Sequence, residues 1–284
     1  MRGSRLIRAT AAALAGAAVL GHAGPAVLGR GRWRERVVPG LLGRGAPGGV
    51  ALTFDDGPHP EGTPAVRRAL DELGVRATFF VLGSQVDRHP GHVAALLADG
   101  HEVALHGYEH RNHLTRTAPA LVADLDRARA AVVRDAVASG LDPLAVEAGL
   151  LFTRPPYGAV SGGTLWAARA SRLRPVLWTA WGRDWLGHRG DRVAATVLAD
   201  LARDAPDTPT PVRQGGGTVL LHDSDCTSVP GSWRGTVAAL PTLVAAVRER
   251  GWEPRLLSEH LQDSGDLAEP RDIGSSRTTT AVLP

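Results

Sequence analysis

Asp55 and Asp56 stand together at the end of the apolar run Gly49-Val50-Ala51-Leu52-Thr53-Phe54, and the turn pair Gly57-Pro58 follows at once. A strand that ends on two carboxylates sends one to each side of the chain, at the rim of a sheet. About fifty residues on, His106-Gly107-Tyr108-Glu109-His110 follows another short strand-like run. One carboxylate with two imidazoles at an i, i+4 spacing is a three-ligand set for a catalytic metal with an open coordination position. The second carboxylate is then free to act as a base. The combination points to metal-assisted hydrolysis. Taken singly, each part has a plainer reading. Asp-Asp-Gly-Pro is also turn chemistry that can cap a following helix, and a His pair also occurs on surface loops.

Groups of this kind need a scaffold, and a β/α alternation begins at Gly49. Strand-like runs occur near residues 50–54, 77–82, 102–105, 150–153, 175–179, 218–221 and 253–257. Helical patterns lie between them, near 64–73, 91–98, 119–139, 163–170, 191–203 and 236–250. The strands are short and apolar on both faces, as parallel strands covered by helices must be. The alternation predicts a parallel α/β fold, and about seven units suggest a barrel rather than an open sheet. Asp55, Asp56, His106, Arg154, the stretch from Trp181 to Trp185, and His222 each fall just after a strand. Active sites of (β/α) barrels are built from the C-terminal ends of several strands, so the placement of these residues supports the barrel.

At 284 residues the chain fits one large α/β domain. Every basic residue is Arg. The formal charge of +3 is carried by the N-terminus: Arg2, Arg5 and Arg8 precede any acid, the first being Glu35. The remainder is about neutral, which leaves no basic stripe for nucleic acid. Arg2, Arg5 and Arg8, the apolar stretch Ala9 to Leu20 and the small-residue site Gly21-His22-Ala23 read as an export signal over residues 1–26. An uncleaved membrane anchor is the alternative, since the apolar stretch between Arg8 and Arg30 is about the length of a bilayer span. The protein is therefore expected outside the cell or in the wall, with membrane contact only through this segment. Residues 27–48, rich in Gly, Arg and Pro, read as a linker, 49–261 as the functional domain, and 262–284 as a disordered tail. The single Cys226 excludes an internal disulfide and reads as a packing residue.

Five segments, in order, resemble the motifs of the polysaccharide deacetylases of carbohydrate esterase family 4, the nodulation-protein-B homology domain. They are Thr53-Phe54-Asp55-Asp56-Gly57-Pro58, His106-Gly107-Tyr108-Glu109-His110, Arg154-Pro155-Pro156-Tyr157-Gly158, Asp184-Trp185 and Leu220-Leu221-His222-Asp223. The resemblance spans about residues 49–260. It implies a distorted (β/α)7-type barrel with the active site at the C-terminal ends of the strands.

The resemblance also implies roles. Asp56, His106 and His110 would bind a divalent metal, Zn first, with Co, Ni or Mn as alternatives. Asp55 would be the general base, paired with Arg154; a fixed guanidinium orients a carboxylate and favours its charged form. His222 would be the general acid that protonates the leaving amine, a task suited to imidazole near neutral pH. Asp184 would hold that imidazole. The backbone N–H of Tyr157 would help to hold the oxyanion, and Trp185 and Leu220 would wall the pocket for the acetyl methyl. Two positions depart from the family pattern. Gly107 stands where a hydroxyl residue usually follows the first His, which implies a looser loop. Trp181 stands where an Asp usually precedes Asp184 by three residues, which removes one local support for Asp184.

The expected activity is hydrolysis of an N-acetyl group, or alternatively an O-acetyl group, on a cell-wall or extracellular polysaccharide by a monomeric enzyme. Peptidoglycan, chitin oligomers and acetylated xylan are the candidate substrates. A catalytically silent carbohydrate- or wall-binding domain is the alternative, but it does not require Asp55 or His222. A glycosidase would need two carboxylates about 5–9 Å apart across a sugar. Adjacent Asp55 and Asp56 do not supply that, and His106 and His110 would go unexplained.

Overall fold

The computed structural model describes residues 39–203 and 216–262, together with His22. Apart from His22, the expected export signal lies outside the described residues, as do most of the linker and the tail beyond Gln262. Eight strands run in chain order: β1 (Gly49–Asp55), β2 (Thr78–Val81), β3 (Glu102–Leu105), β4 (Phe152–Thr153), β5 (Arg174–Pro175), β6 (Ala180–Trp181), β7 (Gly217–His222) and β8 (Glu253–Arg255). Seven lie in the order β5-β4-β3-β2-β1-β7-β6, and every pairing is parallel. β8 takes the N-terminal half of the β1 edge whose C-terminal half takes β2. β5 and β6 end the path without pairing to each other. The sheet is therefore a curled barrel that stays open at that seam.

Alternation along the strands sorts residues to two sides, as it must in a barrel. Val50, Leu52 and Phe54 of β1, Phe79 and Val81 of β2, Val103 and Leu105 of β3, and Val219 and Leu221 of β7 pack outward in one large core. Their neighbours Ala51, Phe80 and Ala104 pack inward with Phe152 and Val176. The inward set continues to the strand ends. Two residues on from Thr53 is Asp55, two on from Leu220 is His222, and two on from Phe152 is Arg154.

Helices cover the outer face: α1 (Gly62–Glu72), α2 (Gly83–Arg88), α3 (His92–Ala98), α4 (Ala118–Ala138), α5 (Pro143–Gly149), α6 (Gly162–Ala170), α7 (Gly190–Arg203) and α8 (Trp233–Glu249). α4 shows why they do so. Leu121, Leu125, Ala128 and Val132 recur every three or four residues and are buried along one stripe. Each fully buried Leu or Val contributes roughly 1.5–3 kcal/mol relative to exposure. α9 (Leu257–Gln262) inserts Leu257 and Leu261 into the inward cluster, so it closes the barrel floor.

Three expectations are corrected. The single strand expected at 175–179 is two short strands with an irregular break between them. In that break the carbonyls of Val176 and Leu177 accept from the Arg154 guanidinium, and the Leu177 N–H donates to the Leu41 carbonyl (2.7 Å), so no neighbouring strand takes them. The strand expected to run to Leu257 stops at Arg255 and gives way to α9, whose last residue is Gln262. Residues 39–48, read as part of a linker, pack on the barrel: Leu41 is buried with Val160 and Leu177, and the Gly43 carbonyl accepts from Thr218.

Candidate active site

Asp55 ends β1, and its strand register places it level with His222 at the end of β7. Asp56 follows with φ +74°, a left-handed conformation uncommon outside glycine. This turn overturns the expectation that adjacent carboxylates point to opposite sides of a sheet. Asp55 and Asp56 both line one cavity of about 280 Å3, together with His106, His110, Tyr157, Trp185, Leu220 and His222. Arg154 and Asp184 lie behind this wall, fully buried. All ten residues singled out from the sequence thus meet at one place, eight on the cavity and two supporting it.

The metal-ligand set is compact. Asp56 Oδ1 lies 3.3 Å from His106 Nε2 and 3.4 Å from His110 Nε2. One ligand atom from each residue falls within 4.8 Å of the others. Asp56 Oδ1 is buried and has no hydrogen-bond partner, while Oδ2 accepts from Thr227 Oγ1 (2.5 Å). His106 Nδ1 donates to the Arg154 carbonyl (2.8 Å), which leaves the Nε2 lone pair for the site. Burial alone would raise the pKa of Asp56, but His106, with His222 and His110, holds it well below the usual carboxylate range. Burial, reinforced by His106, pulls His110 down to about 4, so its imidazole is neutral at pH 7. A bare anionic oxygen facing two imidazole nitrogens is the donor set a divalent cation requires. The residues fit the group.

Two ion pairs flank this set. Arg154 Nη1 donates to Asp55 Oδ1 (2.6 Å) and to Thr53 Oγ1 (2.8 Å). Its Nε and Nη2 donate to the Val176 carbonyl (3.2 Å) and the Leu177 carbonyl (2.9 Å). Its guanidinium carbon lies 3.9 Å from the Phe80 ring centroid. One side chain thus fixes Asp55 and ties the open seam of the barrel. Asp55 Oδ2 lies 3.8 Å from His106 Nε2, beside the metal-ligand set. Across the cavity, His222 Nδ1 donates to Asp184 Oδ1 (2.9 Å). Burial disfavours the charged form of His222, but Asp184, with Asp56 and Asp55, outweighs it and raises the pKa to about 9.

The departures from the motif pattern have structural counterparts. Asp184 keeps two other supports, because its Oδ2 accepts from Thr236 Oγ1 (2.6 Å) and the His222 N–H (2.7 Å). Trp181 joins Trp178 and Trp185 as a row of indoles along the cavity wall. The loop at Gly107 is tied rather than loose: the N–H of Tyr108 donates to Asp124 Oδ2 (2.8 Å). Cys226, read as a packing residue, is exposed on the loop after β7, its Sγ 3.5 Å from the Asp56 carbonyl.

Thr227, Thr236, Asp124 and Asp223 were not found from the sequence. Asp223 is buried beneath the Asp-Asp-Gly-Pro turn, where Oδ2 accepts from Thr63 and burial pushes its pKa up to about 7. A Cβ on Gly57 would run into that carboxylate, which explains the glycine of the turn. The Asp after His222 was the only one of the four already inside a motif.

Metal-assisted hydrolases are the class that such a barrel and such a site define, and comparison with known proteins narrows it. The polysaccharide deacetylase family model matches residues 43–176. A chitooligosaccharide deacetylase of Bradyrhizobium sp. is 35% identical over 211 residues, 72% of this chain and 86% of that protein. A peptidoglycan-N-acetylglucosamine deacetylase of Listeria monocytogenes is 32% identical over 204 residues, 72% of this chain but 37% of the longer relative. Among solved structures, the Bc1960 peptidoglycan N-acetylglucosamine deacetylase superposes with a TM-score of 0.63 at 26% identity, covering 77% of this chain and 91% of that one. A family 4 carbohydrate esterase of Streptomyces lividans, solved with acetate, gives 0.56 at 26% identity over 72% and 91%. The chain belongs to the polysaccharide deacetylases of carbohydrate esterase family 4. It is a polysaccharide deacetylase with an Asp56-His106-His110 site for a metal.

Proposed function

We propose that the protein removes N-acetyl groups from glucosamine residues of a cell-wall or extracellular polysaccharide, with release of acetate, and that Zn occupies the Asp56-His106-His110 site. Peptidoglycan is the favoured substrate, because the N-terminal signal pattern directs the protein out of the cell. The observation that carries the reading is the buried, unpartnered Asp56 Oδ1 facing two imidazole nitrogens, with an anchored carboxylate and an anchored imidazole on either side. The relatives' names give it context: they act on chitooligosaccharides and on peptidoglycan N-acetylglucosamine.

A bound divalent cation would polarise the scissile carbonyl and lower the pKa of the attacking water. The chain's own groups then have separate tasks. Asp55, held through Oδ1 by Arg154, takes the proton from the water. His222, with Nδ1 held by Asp184, uses its other nitrogen to protonate the leaving amine. A pKa near 9 keeps that proton in place at neutral pH. The backbone N–H of Tyr157, at a residue with φ +61°, stabilises the developing oxyanion. Trp185 and Leu220 wall off the acetyl methyl from water.

The test is acetate release from acetylated glucosamine oligomers and from peptidoglycan, with protein stripped by chelator and then refilled with Zn. Acetate that appears only after refilling supports the reading, and the faster substrate identifies the sugar. Metal-loaded protein that releases no acetate from either would refute it.

A further inference from the structure

The two imidazoles of the metal-ligand set are oriented by different means. A metal-ligating His is ordinarily fixed by a hydrogen bond from its second ring nitrogen, and loss of such a partner costs about 10–100-fold in affinity. His106 has this support from the Arg154 carbonyl. His110 does not, for its Nδ1 is buried without a partner. The Tyr157 ring meets it edge-on, with centroids 4.3 Å apart, which limits tilt but sets no position along the chain. The placement of His110 therefore falls to the backbone of the loop between the two ligands.

That loop is tied at successive groups. The carbonyls of Gly107 and Tyr108 accept from the N–H groups of Gly83 (3.0 Å) and Ser84 (2.9 Å). The Tyr108 hydroxyl donates to Asp87 (2.9 Å), and the Arg127 guanidinium covers the Tyr108 ring at 3.6 Å. The Tyr108 N–H donates to Asp124 Oδ2, and Arg116 anchors Asp124 through Oδ1 (2.8 Å). Among the described residues, Asp124 is the one side-chain carboxylate bonded to a backbone amide of this loop. Gly107 makes room for it: φ is +91°, and a Cβ there would sit 2.8 Å from Asp124 Oδ2.

We infer that Asp124, held by Arg116, is a positioning residue for the second His ligand, acting on His110 through the Tyr108 amide. This rests on the proposed metal site. The experiment is chelator-competition titration of Zn into the stripped full-length protein, with thermal melting of the stripped form alongside. Asp124→Ala should weaken Zn binding by about 10–100-fold while the stripped protein melts within a few degrees of the parent. Asp124→Asn, which keeps an acceptor oxygen for the Tyr108 amide, should stay within about threefold of the parent, between no loss and the Ala effect. Arg116→Met, with Asp124 present but unanchored, should give a smaller loss than Asp124→Ala, and it decides the matter if the Ala variant does not fold. Zn affinity unchanged in Asp124→Ala, or in Arg116→Met where Ala fails to fold, would overturn the assignment. So would a loss of affinity that only follows a lower melting temperature. A parent protein that binds no Zn would instead refute the metal site itself.

Discussion

The two sides of the cavity are built on opposite terms. On the metal side, polar atoms are left bare: Asp56 Oδ1 and His110 Nδ1 are buried without partners. On the proton-transfer side, the supporting groups are saturated. Arg154 donates to two side-chain oxygens and two carbonyls, and Asp184 uses both oxygens on three donors. A buried, unsatisfied polar group costs about 1–3 kcal/mol, and more when charged. A divalent cation bound by Asp56, His106 and His110 would complete the bare oxygen. The saturated pairs need nothing from outside and hold Asp55 and His222, the proposed base and acid, in place before substrate arrives.

The sharpest way to separate the two sides is to remove one group from each. Asp55→Asn keeps an acceptor for Arg154 and removes the base. We expect turnover to fall about 10²–10⁴-fold, with Zn affinity changed by less than about threefold, since no ligand is touched. His106→Ala should lose metal and activity together. Acetate release and chelator competition on the same preparations measure both. Near-normal turnover in Asp55→Asn would remove it from the role of base.

The saturated side should also dominate stability. Arg154→Met leaves Asp55 buried without its cation and strips donors from Thr53, Val176 and Leu177 at the open seam. Breaking one partner of a buried pair costs about 3–5 kcal/mol, which denaturant unfolding of the stripped protein would register. A loss below about 1 kcal/mol, the range of surface pairs, would show that the pair is not structural.

Asp184 tests the acid. The pKa of His222 is raised, so its protonated form persists through neutral pH and is lost as pH rises through about 9. Asp184→Asn removes the chief raising charge and leaves the burial that lowers it. The alkaline limb of the kcat/KM profile should therefore move to lower pH, toward the ordinary imidazole range near 6.5. A limb that stays where it was would assign it to another group.

Much of this was legible in the sequence because the chemistry sits where strands stop. Short apolar runs located β1, β2, β3 and β7, and the ends of β1, β3 and β7 lead directly into cavity residues. What the sequence hid depends on contacts with no local pattern. The break between β5 and β6 exists because a guanidinium from another strand end takes the carbonyls there. The plug α9 followed a short strand too closely to be told apart from it. Thr236 and Asp124 lie inside helical patterns, where a single polar residue carries no sign of what it faces. The left-handed turn at Asp56 could not be read from a residue that is not glycine, yet it brings both carboxylates to one cavity.

Thr227 offers the smallest and most discriminating test of the contrast. Its hydroxyl donates to Asp56 Oδ2, so it limits rotation of the carboxylate whose other oxygen faces the imidazoles. Thr227 itself is exposed, and water can replace its hydroxyl in the Val variant. A hydrogen bond to a charged group contributes about 1.5–3 kcal/mol when nothing replaces it. With water available the expected cost is lower, about tenfold or less in Zn affinity, with turnover at saturating metal nearly unchanged. Such a result would fit a metal side whose bare oxygen is completed by its cation rather than by protein donors. Complete loss of Zn binding in Thr227→Val would mean that the metal side is as tightly determined from outside as the Arg154 side, and the contrast would fail.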